Sequence, residues 1–494
     1  MKPKLKILVT FLLLPALLHA QENNPDIKRT MHWYFGYNAG LDFSSGTPVA
    51  DTTGKIYQEE NSYNMSDTCG NLLFYGTAEN VLNKNHQEMD NGDLVGVKLS
   101  PTQSIAIPQP GNDSIFYIFY DKEGGTLIGQ FKYAILNINA NNGLGKVISK
   151  DNILIDTVAT EKVAAVHHCN GNDIWVVSKQ RNWPLSKNIY AWLLTENGLI
   201  TTPVVSDVAL SFQKWENGDG YFRFSSDGTM AAAAYMNQQF SPVYVEDSCS
   251  VELYKFDNCT GEFYDPIVLQ ILFPYGLAFS PDNTKLYVEA GGEGWPFIDS
   301  IYFYQFDISN YDSTYIMESK TIIAEGISGH FQLALDGKLY VAELDTTMGP
   351  YLGLEKLGVI NNPNESGLAC NYLKDTIDLM GKNHVIGLPN FVDSYFSSFK
   401  YYDCDTTNNN SNFNKNHEVN IYPNPFTDII TIENKYFKDY NMKITDETGR
   451  IILEKDIHNK VKKLNLSYLK PGSYMITLYS EKFTFFTNHK ITKL

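Results

Sequence analysis

Histidines are the side chains of this 494-residue chain that are best suited to acid–base or metal chemistry. An imidazole titrates near neutral pH and binds transition metals, so several of them in one place would form a site. Four stand near the starts of short apolar segments that are typical of β-strands: His167, His168, His330 and His384. Two interpretations stay open, a metal or acid–base site and imidazoles that brace strand ends by hydrogen bonding. Their spacing matches no known ligand set, so the sequence predicts no metal and no cofactor.

Established catalytic motifs are absent from the chain. It contains no His-Glu-x-x-His, no Gly-x-Ser-x-Gly, no phosphate-binding P-loop and no calcium-binding Asp-x-Asp-x-Asp-Gly loop. The glycine-rich stretch Gly291-Gly-Glu-Gly-Trp295 follows a strand pattern but precedes no helix, so it is expected to be a loop between strands. The catalytic residues, if there are any, stay unknown.

Three tryptophans between predicted strands are the best candidates for ligand contacts. They are Trp183 in Arg181-Asn-Trp-Pro184, Trp215 in Lys214-Trp-Glu-Asn217, and Trp295. Aromatic rings on loops stack on sugars or capture protein partners. The alternative is that these rings only pack the loops against the strands.

Six cysteines make disulfides an expectation for an exported chain: Cys69, Cys169, Cys249, Cys259, Cys370 and Cys404. Cys249 and Cys259 bracket one predicted strand, and an extended segment of that length spans about 33 Å. Bridged Cα atoms lie within about 7 Å, so these two should not pair with each other. The other pairings stay open. No Cys-x-x-Cys occurs, which excludes a zinc ribbon or a thioredoxin-type site.

Charge is unevenly distributed along the chain. The net charge is −17, yet the first 20 residues carry three lysines, and the tail from His417 carries 12 Lys/Arg against 9 Asp/Glu. The region between them therefore has a net charge of −23. Such a surface repels polyanions, which argues against nucleic acid as a partner.

The region between the termini repeats a unit of two apolar strands around a tight polar turn. The clearest copies are Gly276–Val288, Tyr221–Met230 and Phe331–Val341. Turn markers at Asn71, Asn112, Asn172, Gly228, Asn283, Gly337 and Asn390 are 41, 60, 56, 55, 54 and 53 residues apart. Third and fourth strands follow each hairpin, as in Ser300–Asp307 and Lys320–Ala324. Four-stranded repeats of this length are typical of β-propeller blades.

Seven such units predict an all-β, seven-bladed propeller. The last unit, around Val385–Phe396, supplies only one hairpin, and the segment Trp33–Phe43 is expected to be a third strand that completes it. A fourth strand is expected to begin at Thr47–Asp51. Closure of the ring by both chain ends would leave no open edge strand. The repeat resembles WD-repeat-like and lactonase-like propellers through its Ser-Pro-Asp-x-x-x-Leu-Tyr-Val unit, a likeness that concerns fold and not chemistry.

The tail carries three short blocks and a lysine-bearing end. The blocks are Tyr422-Pro-Asn-Pro-Phe426, Asp446-Glu-Thr-Gly-Arg450 and Leu469-Lys-Pro-Gly-Ser-Tyr474, followed by Lys490-Ile-Thr-Lys-Leu494. This strongly resembles the type A C-terminal sorting domain of the type IX secretion system of Bacteroidota. The resemblance implies a sorting signal at Tyr422, Pro423, Asn424, Pro425, Gly449, Pro471, Gly472, Tyr474, Lys490 and Lys493. It also implies that the secretion machinery reads the tail, and that the rest is then joined to surface lipopolysaccharide or released.

The expected domain order is a signal peptide at 1–20, a propeller at 21–404, an Asn-rich linker at 405–416 and a small β-sandwich at 417–494. Lys2, Lys4 and Lys6 precede an apolar run that ends at a cleavage site, Leu18-His19-Ala20. No later run is long enough for a membrane-spanning helix. The linker is polar and lacks the apolar residues of a core, so it is expected to be a flexible tether.

The opening from Trp33 also resembles a wider group of exported or gliding-associated Bacteroidota surface proteins without assigned chemistry. The matching stretches are Trp33-Tyr-Phe-Gly36, Asn38–Phe43, Gly70–Tyr75, Asn83–His86, Cys370–Tyr372 and Gly387–Phe391. The leading hypothesis is an exported surface or secreted propeller that binds a polysaccharide or a protein. The alternatives are an exported hydrolase or lyase with its site at the channel mouth, and a passive component of the surface layer.

Overall fold

The computed structural model divides the chain into two compact units, Asn23–Ser398 and a second that contains Phe399–Leu494. It describes residues 25–94, 103–124, 128–156, 159–180, 187–209, 220–236, 249–291, 301–325, 328–344, 353–397, 419–434, 440–446, 451–479 and 486–494. The predicted signal peptide and Asn-rich linker lie outside these residues. No helix among the described residues has the length and apolarity needed to cross a membrane.

The first unit is a seven-bladed β-propeller built from antiparallel sheets, numbered here by their order around the ring. Sheet 7 comes first in the chain and consists of β1–β3 (His32–Phe35, Ala39–Asp42, Val49–Ala50). Sheets 1 and 2 consist of β4–β7 (Ser62–Ser66, Leu72–Gly76, Asn80–Asn83, Glu88–Asp93) and β8–β11 (Ser104–Pro108, Ile115–Gly124, Ile128–Asn137, Lys146–Ile155). One parallel pair, Asp90 with Lys146, joins their outer strands β7 and β11. Sheet 3 consists of β12–β16 (Ala159–His167, Ile174–Gln180, Asn188–Thr195, Gly198–Leu199, Val204–Asp207).

Three four-stranded sheets complete the ring. Sheet 4 consists of β17–β20 (Phe222–Phe224, Met230–Tyr235, Ser250–Asp257, Glu262–Leu269). Sheet 5 consists of β21–β24 (Pro274–Phe279, Lys285–Gly291, Ile301–Asp307, Thr321–Glu325), and sheet 6 of β25–β28 (Ser328–Leu333, Leu339–Leu344, Lys356–Ile360, Tyr372–Asp378). The described helices are short: α1 (Ala140–Gly143), α2 (Ser313–Glu318) and 3₁₀ turns at Pro25–Thr30, Gly367–Cys370 and Asp393–Phe396.

The first hairpin of sheets 1 to 6 is where the repeat is visible in the sequence. Six of the seven predicted turn markers, Asn71 to Gly337, lie between the first and second strands of these sheets, which confirms them. Each turn contains one residue with φ between 60° and 94°: Gly70, Gly111, Gly171, Gly228, Asn283 or Gly337. Glycine and asparagine tolerate this left-handed conformation. In sheet 5 the Asp282 carboxylate then accepts from the Ser280 hydroxyl at 2.6 Å and the Thr284 amide at 3.1 Å.

Both ends of the propeller sequence meet at sheet 7. Its side chains pack on sheet 6 in one apolar cluster that includes Trp33 and Tyr340, and on sheet 1 in another that includes Tyr34 and Tyr75. The C-terminal segment 383–390 runs alongside, where Asn383 bridges to Tyr37 and β29 (Pro389–Asn390) pairs parallel with Ser62 and Tyr63. The ring is therefore closed by residues from the two ends, as predicted.

Two details of the predicted closure are wrong. Asn390 is not a hairpin turn, because it lies in β29 and is followed by the 3₁₀ turn Asp393–Phe396. The stretch Trp33–Phe43 is not one strand but the hairpin of β1 and β2, with positive φ at Gly36 and Asn38. All three hydrogen-bonded strands of sheet 7 thus come from the N-terminal end, and the C-terminal segment adds isolated bridges.

Segment 383–387 passes very close to neighbouring backbone. A Cβ on Gly387 would lie 1.3 Å from the carbonyl oxygen of Glu60, and one on Gly353 would lie 2.0 Å from that of His384. Real Cβ atoms never approach a backbone atom so closely, so only glycine fits at these positions. The Ile386 and Gly387 amides both donate to the Glu59 carbonyl, at 3.0 and 3.2 Å.

One disulfide links neighbouring sheets 3 and 4. Cys169 in the first turn of sheet 3 is bonded to Cys259 in the turn between β19 and β20, with their Cα atoms 4.9 Å apart. Cys249 therefore does not pair with Cys259, in agreement with the prediction. The Cys370 thiol is free and buried.

The second unit is a small β-sandwich. One sheet consists of β30 (Val419–Tyr422), β31 (Ile429–Asn434) and β34 (Val461–Asn465), and the other of β33 (Ile451–Ile457), β32 (Tyr440–Asp446), β35 (Gly472–Tyr479) and β36 (Phe486–Lys493). Their facing side chains form an apolar core that includes Ile430, Ile444 and Ile476. Pro471-Gly472 is not a hairpin turn as predicted, because β34 and β35 belong to different sheets.

Glu343 on β26 gives sheet 6 a pH-dependent stability. Its side chain is fully buried, it accepts a hydrogen bond from the Tyr372 hydroxyl, and burial raises its pKa to about 7. A carboxyl whose pKa is higher in the folded state stabilises the fold below its unfolded pKa and loses that contribution as the pH rises through its folded pKa. We therefore expect Glu343→Gln to match the wild type near pH 4 and to be the more stable protein near pH 8, measured by urea unfolding. A constant difference between the two proteins across this range would contradict the assignment.

Candidate functional site at the channel mouth

The first strands of sheets 1 to 6 surround the propeller axis and begin at the same end. Hydrogen bonds join neighbouring first turns, as from the Ser226 amide to Asn283 Oδ1 at 2.9 Å. Others join neighbouring strand starts at the opposite end, as from the Tyr221 amide to the Tyr275 carbonyl at 3.0 Å. Residues that precede or open the first strands therefore gather at one end of the channel. We call the cluster of Glu60, Glu161, Tyr221, Tyr275 and His330 the channel mouth.

Two carboxylates from different blades converge on one hydroxyl at the channel mouth. The Tyr275 hydroxyl lies 2.9 Å from Glu161 Oε2 and 3.2 Å from Glu60 Oε2. These oxygens are therefore no more than about 6 Å apart, and Tyr275 and Glu60 are only partly buried. A phenol has one hydrogen, so it donates to one carboxylate at a time. The cluster therefore combines two carboxylates with one phenol.

Aromatic rings pack around the Tyr275 side chain, whose hydroxyl lies between the two carboxylates. The His330 ring stacks on the Tyr275 ring at 4.8 Å, and its Nδ1 lies 2.7 Å from the Tyr221 hydroxyl. His330 is buried, and burial lowers its pKa to about 3, so the imidazole is neutral at physiological pH. His330 is thus a brace that fixes Tyr275, as one of the two interpretations of the histidines expects.

Gly220 positions Tyr221 through contacts with two consecutive residues of β12. Its amide donates to Glu161 Oε2 at 3.4 Å, and its carbonyl accepts from Lys162 Nζ at 3.1 Å. Lys162 also lies over the Tyr235 ring, 4.7 Å from the centroid. Lys179 faces the same ring, and burial lowers its pKa to about 8. Buried charged side chains therefore fix the part of the channel mouth that lies between sheets 3 and 4.

Arg223 connects this part of the channel mouth to the C-terminal segment inside the channel. Its guanidinium lies over the Tyr221 ring at 5.0 Å and donates to Asn390 Oδ1 at 2.5 Å and Gln332 Oε1 at 3.1 Å. Asp393 Oδ1 is 3.7 Å away, and burial raises the Asp393 pKa to about 6, opposed by Arg223. Asp393 and Ser394 accept hydrogen bonds from the Phe224 and His167 amides and therefore lie at the end of the channel opposite the mouth.

The remaining predicted histidines do not join this cluster. His384 is fully buried, and its ring nitrogens lie 2.7 and 2.9 Å from the Val385 and Lys356 carbonyls. His167 contacts the Ser394 hydroxyl at 2.8 Å, at the other end of the channel. His168 accepts from the Asn170 amide within its own turn. Among the described residues no three His, Cys, Asp or Glu side chains form a group that would hold a metal ion.

The predicted ligand-binding tryptophans Trp183, Trp215 and Trp295 lie outside the described residues. Their role stays a prediction. The other tryptophans, Trp33, Trp175 and Trp192, are buried in the apolar clusters between sheets.

In the tail, the first predicted sorting block lies against the C-terminal strand. Asn424 Oδ1 accepts from the Thr492 amide at 2.9 Å, and the Phe426 amide donates to the Thr492 carbonyl at 2.9 Å. Lys493 is buried, donates to the Thr427 carbonyl and lies 3.7 Å from Asp428. Two blocks far apart in sequence thus form one structure.

The other predicted sorting residues are dispersed over the tail. Tyr422 is exposed at the end of β30, and the Pro423 and Pro425 peptide bonds are cis. Pro471 and Gly472 lie at the start of β35, where the Tyr474 hydroxyl donates to the Lys470 carbonyl at 2.9 Å. Lys490 is in β36, and Gly449 lies outside the described residues.

Comparison with known proteins identifies the tail. Residues 420–492 match the family model described as a secretion system C-terminal sorting domain. No curated protein matches the chain significantly. The sorting tail implies the type IX machinery as a partner and export to the cell surface or the medium.

Several solved structures are similar to the chain at low identity. PorZ, a surface component of the type IX secretion system of Porphyromonas gingivalis, has 9% identity over 93% of this chain and 73% of its own, with a TM-score of 0.30. A proposed 6-phosphogluconolactonase of Bacteroides fragilis has 10% identity, coverage of 72% and 96%, and a TM-score of 0.37. The periplasmic gluconolactonase of Pseudomonas aeruginosa has 10% identity, coverage of 88% and 98%, and a TM-score of 0.35. Scores this low support no conclusion about activity.

Proposed function

We propose that this protein is an exported binding protein whose ligand, a polysaccharide or a protein segment, docks at the channel mouth. The observation that carries the proposal is the convergence of Glu60 and Glu161 on the partly exposed Tyr275 hydroxyl. Carboxylates accept strong hydrogen bonds from hydroxyl and ammonium groups. The negative charge of the propeller region favours a neutral or cationic ligand over a polyanion.

The route to the outside follows from the two termini and belongs to the same proposal. The signal peptide at 1–20 directs the chain into the periplasm, and the sorting tail then directs it through the type IX machinery. After the tail has been removed, the propeller is joined to surface lipopolysaccharide or released. Either fate places the propeller outside the cell.

Replacing Glu60 and Glu161 together with glutamine should weaken ligand binding at least about tenfold. The variant keeps the shape of both side chains but loses the negative charge that strengthens their hydrogen bonds. Binding is measured by pull-down and titration of the purified exported protein with polysaccharides and extracellular proteins. The matched control replaces two exposed glutamates on outer strands, Glu88 and Glu262, with glutamine and should bind normally. Equal binding by both variants would refute the channel mouth as the site.

A second candidate function is an exported glycoside hydrolase or lyase. The specific observation is the separation of the Glu60 and Glu161 oxygens, no more than about 6 Å, since retaining glycosidases place their two carboxyl groups about 5–5.5 Å apart. New reducing or unsaturated sugar ends, produced by the wild type and absent with Glu161→Gln, would favour this function. Binding without product would favour the binding protein. Neither binding nor product would leave a passive surface component.

A further inference from the structure

Next to the channel mouth, two tyrosines form an exposed aromatic surface. The rings of Tyr37 and Tyr57 are stacked, with centroids 4.4 Å apart and planes inclined by 15°. Tyr57 is 65% exposed, so one face of this pair is open to water. An exposed aromatic ring that is held in place by a second ring offers apolar contact area at a small entropic cost.

The aromatic surface contacts an acidic residue that is adjacent in sequence to Glu60 of the mouth. The Tyr37 hydroxyl donates to Glu59 Oε1 at 3.1 Å, and Glu59 precedes Glu60 in the chain. Tyr57 is only two residues from Glu59. The flat apolar area of the tyrosine pair and the Glu59 carboxylate are thus within the reach of one small ligand.

The backbone that carries this surface is fixed on both sides. The Tyr37 amide donates to the Asn383 carbonyl at 2.7 Å, and the Gln58 amide donates to the Gly36 carbonyl at 3.1 Å. The Glu59 carbonyl accepts hydrogen bonds from two amides of segment 383–390, at 3.0 and 3.2 Å. A surface ordered before binding loses little conformational entropy when a ligand arrives.

On the basis of this geometry, and resting on the proposed function, we infer that the ligand is a glycan with neutral or amino sugars. The apolar face of a sugar ring stacks on Tyr57, and its hydroxyl or ammonium groups donate to Glu59. Aromatic stacking beside hydrogen-bond acceptors suits a sugar, which has one apolar face and a polar rim. Uronic acid polymers are disfavoured by the acidic surroundings.

The test is calorimetric titration of the full mature chain with laminarihexaose, chitohexaose, a chitosan oligosaccharide and, as a polyanion, alginate. We expect one of the first three to bind and alginate to bind more weakly. Tyr57→Ala should weaken binding at least about tenfold, because stacked aromatic side chains are typical hot spots. Tyr57→Phe keeps the ring and should bind like the wild type. Tyr264→Ala, at a 44% exposed tyrosine of β20, is the control and should also bind normally.

Two results would overturn the inference: no binding of any neutral or amino sugar, and equal binding by Tyr57→Ala and the wild type. Glu161→Gln separates this inference from the proposed function. If Glu161→Gln loses ligand binding while Tyr57→Ala does not, the channel mouth remains the proposed site and sugar stacking on Tyr57 is refuted. If Tyr57→Ala loses sugar binding while Glu161→Gln keeps it, sugar stacking on Tyr57 is supported and the channel mouth is refuted as the site.

Discussion

Replacing Gly387 with alanine should destabilise the propeller by about 3 kcal/mol, because the added methyl group would overlap the Glu60 carbonyl that it faces at 1.3 Å. Either segment 383–390 or the residues before β4 must move, and both hold the ring closed. The measurement is urea unfolding of the purified protein, followed by its aromatic fluorescence. Protease sensitivity at low temperature should rise as well, since an opened ring exposes the edge of β4.

The matched control for this variant is Gly381→Asn in the preceding turn. Gly381 has φ of 77°, a Cβ added there would have no neighbouring atom within 4 Å, and asparagine tolerates this conformation. The control should lose less than about 1 kcal/mol. If Gly387→Ala unfolds at the same urea concentration as the control, the close approach of Gly387 to Glu60 is wrong.

Deleting Lys470–Leu494 should abolish surface delivery while leaving the propeller folded. The deletion removes β35 and β36, and β35 is an inner strand of the four-stranded sheet, so the sandwich core cannot form. It also removes Lys493, which holds the C-terminal strand on the first sorting block. Immunoblots of periplasmic, surface and medium fractions from a secretion-competent host should show the truncated chain in the periplasm alone.

A substitution in the same domain provides the control for this deletion. Tyr468 is 61% exposed and outside the predicted sorting residues, so Tyr468→Ala should reach the outside at the wild-type level. Trypsin resistance of the propeller should be the same in both strains. Normal surface levels of the truncated chain would show that the tail is not the sorting signal.

The fold was largely predictable because its turns have local causes. The left-handed residue and the Ser-x-Asp pair around Asn283 are set by residues within a few positions, and such patterns repeat visibly along the chain. Asn390 stands in a Pro-Asn pair that is typical of turns, yet it lies in β29. Its side chain accepts from Arg223 and donates to the Val163 carbonyl, contacts that bridge more than 160 residues and override the local preference.

The candidate site was only partly predictable. His330 could be singled out from the sequence because histidine is suited to acid–base and metal chemistry. Glu60, Glu161 and Tyr275 are common residue types in segments without a motif. Their significance comes from position, since each lies at the start of an innermost strand. Tyr275 directly precedes the clearest copy of the repeat, so its place at the start of an innermost strand could have been predicted. Glu60 and Glu161 belong to weaker copies of the repeat, and their approach to Tyr275 arises only when the ring has closed.

The closing of the ring by segment 383–390 joins parts of the chain that are far apart in sequence. The strands of sheet 7 are made among the first residues, and the segment beside them follows more than 300 residues later. Contacts between residues so far apart in sequence form slowly, because a long loop has to close first. The sorting tail follows that segment in sequence. A chain that ends before residue 383 therefore lacks both the residues that complete the ring and the sorting tail.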